Sequence, residues 1–246
     1  MQNFKITIQY EGTRYQGWQR QESTANTIQG KLEAILAKMT DQLFVQVDGS
    51  GRTDAGVHAY GQVANFKLET TKTAHEIMAY LNEYLPEDIR VVSIAVVPER
   101  FHSRLNAKRK IYRYRIWNTA VPTVFERRYV YVLPEPLHIT AMQQAASFLI
   151  GRHDFKAFTS SKKGKKSTVR TIERITIERL GNEVVLTYQG DGFLYHMVRI
   201  VTGTLVEVGL GMRSADSVVA LLENGKREHA GVLLPAKGLC LMEVQY

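Results

Sequence analysis

Ile111-Tyr112-Arg113-Tyr114-Arg115-Ile116 is the stretch that decides how the chain divides. An aromatic and aliphatic row alternates with a basic row, the period-two pattern of a β-strand. Upstream, Phe4, Ile6, Ile8 and Tyr10 alternate with Lys5, Thr7 and Gln9 in a half-buried strand that Glu11-Gly12 ends. Apolar positions at Ile28, Leu32, Ile35, Leu36 and Met39 predict an amphipathic helix after Thr27. Residues 43–47 read as a short strand running into the turn Gly49-Ser50-Gly51. Ile77, Met78, Leu81 and Leu85 mark a second helix stopped by Pro86, and 89–97 reads as a long strand. Downstream the order repeats in outline. Met142, Ala145, Ala146 and Leu149 predict a helix capped by Gly151. A hairpin joins 172–179 to 183–188 across Gly181-Asn182. A buried helix is expected over 193–208, a short one over 218–222 and a last strand over 239–244. Two successive β-α-β sets define an α+β protein of two similar halves, 1–106 and 107–246, with the boundary between Arg104 and Ala107.

Composition narrows the partners. Of 246 residues, 44% are apolar and 23% charged, which is a globular balance that excludes wholesale disorder. Lys and Arg number 32 against 24 Asp and Glu, a formal charge of +8 that favours a polyanionic partner: RNA, DNA or an acidic membrane surface. With Cys240 as the single cysteine, an intrachain disulfide and a cysteine-built metal site are both excluded. The chain opens on strand-like alternation rather than a signal-peptide pattern, and no apolar run approaches the ~18 residues of a membrane span. A cytoplasmic protein without membrane contact is expected. The seven histidines are scattered, and Gly164-Lys165-Lys166-Ser167 lacks the leading glycine of a phosphate-binding loop. Neither a metal nor a nucleotide cofactor is expected.

Chemistry concentrates in Gly49-Ser50-Gly51-Arg52-Thr53-Asp54-Ala55-Gly56-Val57-His58-Ala59. Its glycines permit tight turns and close approach of a ligand. Arg52 and Asp54, two apart, share a face of an extended segment. A carboxylate there serves as nucleophile or general base, kept ionised by the neighbouring arginine. The commoner reading on residue types alone is a turn-forming Asp54 with Arg52 as its surface ion-pair partner. His58 reads as a hydrogen-bonded structural histidine. Arg104, Lys108, Arg109, Lys110, Arg113 and Arg115 fall in twelve residues without an acid, interleaved with Tyr112 and Tyr114. Cations for phosphates beside aromatics for bases are the ingredients of a single-strand or flipped-base site, although basic residues also protect exposed sheet edges. Lys162, Lys163, Lys165 and Lys166 form a second basic loop, able to reach phosphates or simply to solubilise. Arg199, inside an apolar run, either pairs with a carboxylate, for which Asp54 is a candidate, or extends to the surface.

Taken together, these segments resemble the tRNA pseudouridine synthase A family. The residues from Gly51 to Ala59, with Gly61-Gln62-Val63 after them, are similar to its active-site signature. Gly17-Trp18-Gln19-Arg20-Gln21, Phe101-His102-Ser103-Arg104, Tyr112-Arg113-Tyr114, His196-Met197-Val198-Arg199 and Gly238-Leu239-Cys240-Leu241 follow in the family's order. The resemblance implies Asp54 as nucleophile, Arg52 beside it on the flipped nucleotide or the RNA, Tyr112 packed on the target base and Arg199 paired with Asp54. It further implies isomerisation of uridine at positions 38, 39 and 40 of the tRNA anticodon arm, by a homodimer without cofactor or metal. Each half would be a ferredoxin-like unit, with the sheets joined around a central cleft. An inactive RNA-binding module of the same fold is the alternative, and the intact Arg52-Thr53-Asp54 argues against it.

Overall fold

The computed structural model describes residues 1–161 and 167–246, so Lys162, Lys163, Lys165 and Lys166 lie outside the described residues. The first six elements are β1 (Gln2–Tyr10), α1 (Ile28–Thr40), β2 (Val47–Gly49), β3 (His58–Leu68), α2 (Ala74–Tyr84) and β4 (Ile89–Val97). Then come β5 (Arg109–Trp117), β6 (Tyr131–Val132), α3 (Ile139–Ser147), β7 (Gly151–Asp154), β8 (Val169–Leu180) and β9 (Glu183–Gly190). Two helices, α4 (Met197–Gly209) and α5 (Ser217–Asn224), precede β10 (Leu239–Gln245). The architecture is α+β, in two compact units: Met1–Lys108 with Cys240–Tyr246, and Arg109–Leu239. Sequence reading gives the whole of 107–246 to the second half. In the fold, the chain's end returns to the first unit, because Cys240 and Leu241 pair in parallel with His58 and Ala59 of β3.

In the first unit β1 lies between β3 and β4, antiparallel to both, and β2 adds to β3. The alternation read in β1 is carried through: Phe4, Ile6 and Ile8 are fully buried, and Phe4 stacks on its cross-strand partner Phe66 with ring centroids 5.7 Å apart. Helix α1 starts at Thr27, whose hydroxyl accepts from the Gly30 N–H, and it buries Ile28, Leu32 and Leu36 completely. Each of those side chains contributes roughly 1.5–3 kcal/mol. Helix α2 opens with a reciprocal cap in which Thr73 and Glu76 each satisfy the other's backbone N–H. The expected strand over 43–47 is displaced to Val47–Gly49. Leu43 and Phe44 are exposed on the segment that carries the chain from the left-handed C-cap of α1, Asp41, back to the sheet.

The second unit pairs β5 with β9, β9 with β8 and β8 with β7, all antiparallel, with β6 parallel to β5. Leu180 faces Glu183 across the two-residue turn at Gly181-Asn182, as the sequence predicts. Helix α4 starts four residues later than expected, since His196 is left-handed (φ 65°) and interrupts the helical run before Met197. Gly151 does not cap α3, which has already ended; it opens β7.

Candidate active site

Residues 50–57 join β2 to β3 without regular structure, and neighbouring segments of the first unit grip them throughout. Gln62, fully buried on β3, is one anchor: its Oε1 accepts from Ser50 Oγ (2.7 Å) and its Nε2 donates to the Gly51 carbonyl (3.1 Å). Tyr10 is the second. Its oxygen accepts from Gln62 Nε2 (3.4 Å), and its hydroxyl shares a hydrogen bond with the Thr53 hydroxyl (2.8 Å). Burial pushes the Tyr10 phenol well above its ordinary range, so it stays protonated and the bridge persists. Backbone bonds complete the grip. Trp18 N–H donates to the Thr53 carbonyl (3.1 Å), and Gly56 N–H to the Tyr15 carbonyl (3.3 Å).

Asp54 begins a turn closed by donation from Val57 N–H to its own carbonyl (3.1 Å), with Gly56 at φ 78° in the third position. Its side chain is half-buried, while Arg52 is exposed and donates from Nε to Gln19 Oε1 (2.9 Å). Two glycines set how closely residues 12–17 approach the loop. Gly17 has φ 87°, and a Cβ there would lie 2.6 Å from the Thr53 oxygen; at Gly12 it would lie 2.0 Å from the Val57 oxygen. The same approach places Gly12 N–H 3.0 Å from His58 Nδ1, with Glu11 Oε1 3.7 Å away, so His58 is a buried, hydrogen-bonded histidine. Among the described residues no group of three His, Cys, Asp or Glu side chains could hold a metal ion. No helix among them is long and apolar enough to cross a membrane.

The second unit carries the other residues picked out in the sequence. Tyr112 lies on β5 opposite Tyr188 and is 8% exposed, with the Phe193 ring edge-on to it at 5.3 Å. Arg199, half-buried in the first turn of α4, donates from Nε to the Leu234 carbonyl (2.7 Å). Tyr112 and Tyr114 occupy the buried face of β5, whereas Arg113 is exposed on the alternate face. Two of the cations that look unopposed in sequence are paired in the fold. Arg109 Nε contacts both oxygens of Glu173 (2.9 and 2.7 Å), and Arg115 is forked onto Glu183 (2.7 and 2.6 Å) while also reaching Glu126 (2.8 Å). Lys108 is exposed at the end of the first unit, and Lys110 is half-buried. Sequence reasoning assigned no role to Tyr10, Gln62, Gln19 or Gly17. The last three lie inside motifs it had picked out, so position was legible and purpose was not.

The chain as a whole is similar to known proteins. A family model described as tRNA pseudouridine synthase matches residues 6–106 and 145–246. The chain is 48% identical, over the full length of both proteins, to tRNA pseudouridine synthase A of Bacillus sp. (strain KSM-64) and to tRNA pseudouridine synthase A 1 of Clostridium tetani. It is 42% identical, again over both full lengths, to tRNA pseudouridine synthase A 2 of Bacillus anthracis. The chain belongs to the tRNA pseudouridine synthase A family.

Proposed function

We propose that this protein isomerises uridine to pseudouridine at positions 38, 39 and 40 of the tRNA anticodon arm, with Asp54 as the nucleophile. That it is an isomerase acting on tRNA uridine follows from its family. The observation that carries the role of Asp54 is the grip on its loop: Tyr10, Gln62, Trp18 and Tyr15 hold residues 50–56. A reacting carboxylate needs a fixed approach geometry, because misplacement by about an ångström costs on the order of a hundredfold in rate.

The reaction breaks the N1–C1′ bond, turns the freed uracil and joins C5 to C1′. The C5 proton is lost and N1 gains one, so no electrons are exchanged and no group is donated. The target base must first leave its stack, at a cost of a few kcal/mol. Tyr112, held edge-on by Phe193, offers a ring face to the extruded base, and stacking offsets roughly 1–3 kcal/mol of that cost. Arg52 steadies the flipped nucleotide or steers the RNA, and Arg199 pairs with Asp54. Lys108, Arg109, Lys110 and the lysines at 162, 163, 165 and 166 contact phosphates. The reading includes ferredoxin-like halves, a homodimer and a cytoplasmic location. The test is incubation with unmodified tRNA, followed by position-resolved detection of a uridine isomer of unchanged mass. Conversion at 38–40 without chain breaks is the expected result. Strand scission, or conversion only elsewhere, would overturn the assignment.

A further inference from the structure

We propose that Gln19, Gln29 and Glu33 form a positioning relay that holds the Arg52 guanidinium in its working orientation. The proposal rests on Arg52 serving the bound nucleotide.

The relay runs through side chains whose polarity is fixed from one end. Gln29, buried on α1, has its amide pinned by two backbone groups: its Oε1 accepts from Arg20 N–H (2.9 Å), and its Nε2 donates to the Val47 carbonyl (3.0 Å). A backbone N–H only donates and a carbonyl only accepts, so this amide has one orientation. Gln29 Oε1 therefore receives Gln19 Nε2 (2.7 Å), and the Gln19 oxygen is left facing Arg52 Nε (2.9 Å). At the other end Gln29 Nε2 also donates to Glu33 Oε1 (2.9 Å), which accepts Val47 N–H as well (3.3 Å). Glu33 is only 4% exposed in its side chain, and its second oxygen lies 3.5 Å from Arg20 Nε. Burial raises its pKa, opposed by the Val47 N–H, Arg20 and Gln29. An exposed arginine has many rotamers, and an acceptor of fixed polarity at Nε removes most of them before substrate arrives. Three residues distant from Asp54 in sequence thus determine where the signature arginine points.

The experiment is a double-mutant cycle on single-turnover isomerisation of unmodified tRNA, at a temperature where every variant is folded. Gln19→Met keeps the volume of this half-buried side chain and removes both hydrogen bonds. It is expected to lower the rate about 5–10-fold in the natural background and less than about twofold in an Arg52→Ala background. Gln29→Met should give the same rate pattern, and thermal unfolding reports separately on its link between α1 and β2. Equal losses in both backgrounds would overturn the proposal, because Gln19 would then act without Arg52. So would wild-type rates in Gln19→Met with Arg52→Ala impaired. An Arg52→Ala enzyme with an undiminished rate would instead overturn the reading of Arg52 itself, and the relay with it.

Discussion

Residues 50–57 have no ladder of their own, whereas β5 is paired along its whole length with β9. Both segments are dense in charged and aromatic residues. In the loop, neutral side chains and backbone groups do the holding: Gln62, Tyr10 and Ser50 fix its course and Gln19 fixes Arg52. In β5 the sheet fixes the backbone, and acids across the strands then claim Arg109 and Arg115. The loop is held by hydrogen bonds from side chains and backbone groups of neighbouring segments. β5 is held by its ladder, and two of its cations are paired with acids on other strands of its unit.

The sharpest way to break this comparison is Asp54→Asn. The swap changes little volume and removes the proposed nucleophile, so isomerisation should fall by at least about a thousandfold while tRNA binding survives. A folded variant, verified free of deamidation, that turns over near the natural rate would leave the grip without its purpose.

Gly17→Ala tests the grip itself. A left-handed alanine costs about 1–2 kcal/mol, and the clash with the Thr53 carbonyl adds about 1–3 kcal/mol. Chemical denaturation should register a loss of about 2–5 kcal/mol, and single-turnover rates of the folded fraction should fall because the atom displaced is loop backbone. A loss of stability with no change in rate would detach the grip from catalysis.

On the β5 side, Tyr112→Ala should lower the single-turnover rate about tenfold or more, as removal of one aromatic platform under a base does. Tyr112→Phe should retain most of the rate if the ring face is what matters. Comparable losses in both variants would assign the hydroxyl to the chemistry instead.

Replacing Lys162, Lys163, Lys165 and Lys166 by serine should flatten the log-affinity against log-salt slope for tRNA by roughly 0.7–0.9 for each phosphate that a lysine no longer neutralises. Turnover at saturating tRNA should change little. An unchanged slope in the salt titration would leave these lysines a solubilising role only.

The smallest effect belongs to Glu173→Gln. Donation from Arg109, and secondarily from Gln189, holds the Glu173 carboxyl below the usual carboxylate range. Its contribution to stability is present above the ordinary glutamate pKa and lost as pH falls through the lower folded value. The variant should lose that acid-side dependence while Tm at neutral pH moves by about 1–2 °C, since exposed pairs are screened by solvent. A larger drop would make the β5 pairs more than absorbed charge.

Much of this was legible from local order. Alternation at Phe4, Ile6 and Ile8, the apolar stripe at Ile28, Leu32 and Leu36, and the turn at Gly181-Asn182 each follow from a period or a turn preference within a few residues. The signature from Gly51 to Ala59 was equally visible, because its residue types are contiguous. What sequence missed depends on distant register. Gln62 reaches Ser50 and Tyr10 only because β3 pairs with β1 while the loop folds back over both. Glu173 and Glu183 stand 64 and 68 residues beyond the arginines they neutralise, so a twelve-residue window without acids overstated the free charge.

The sequence by itself determined the α+β class, the family and the segment that carries the aspartate, since each is written in short-range pattern. Only the tertiary structure decided that the final strand returns to the first unit, that His196 interrupts the run into α4 and that Gln19 offers its oxygen to Arg52. The unit a strand joins and the polarity of an amide are settled by which backbone groups come face to face, and no local pattern of residue types encodes that.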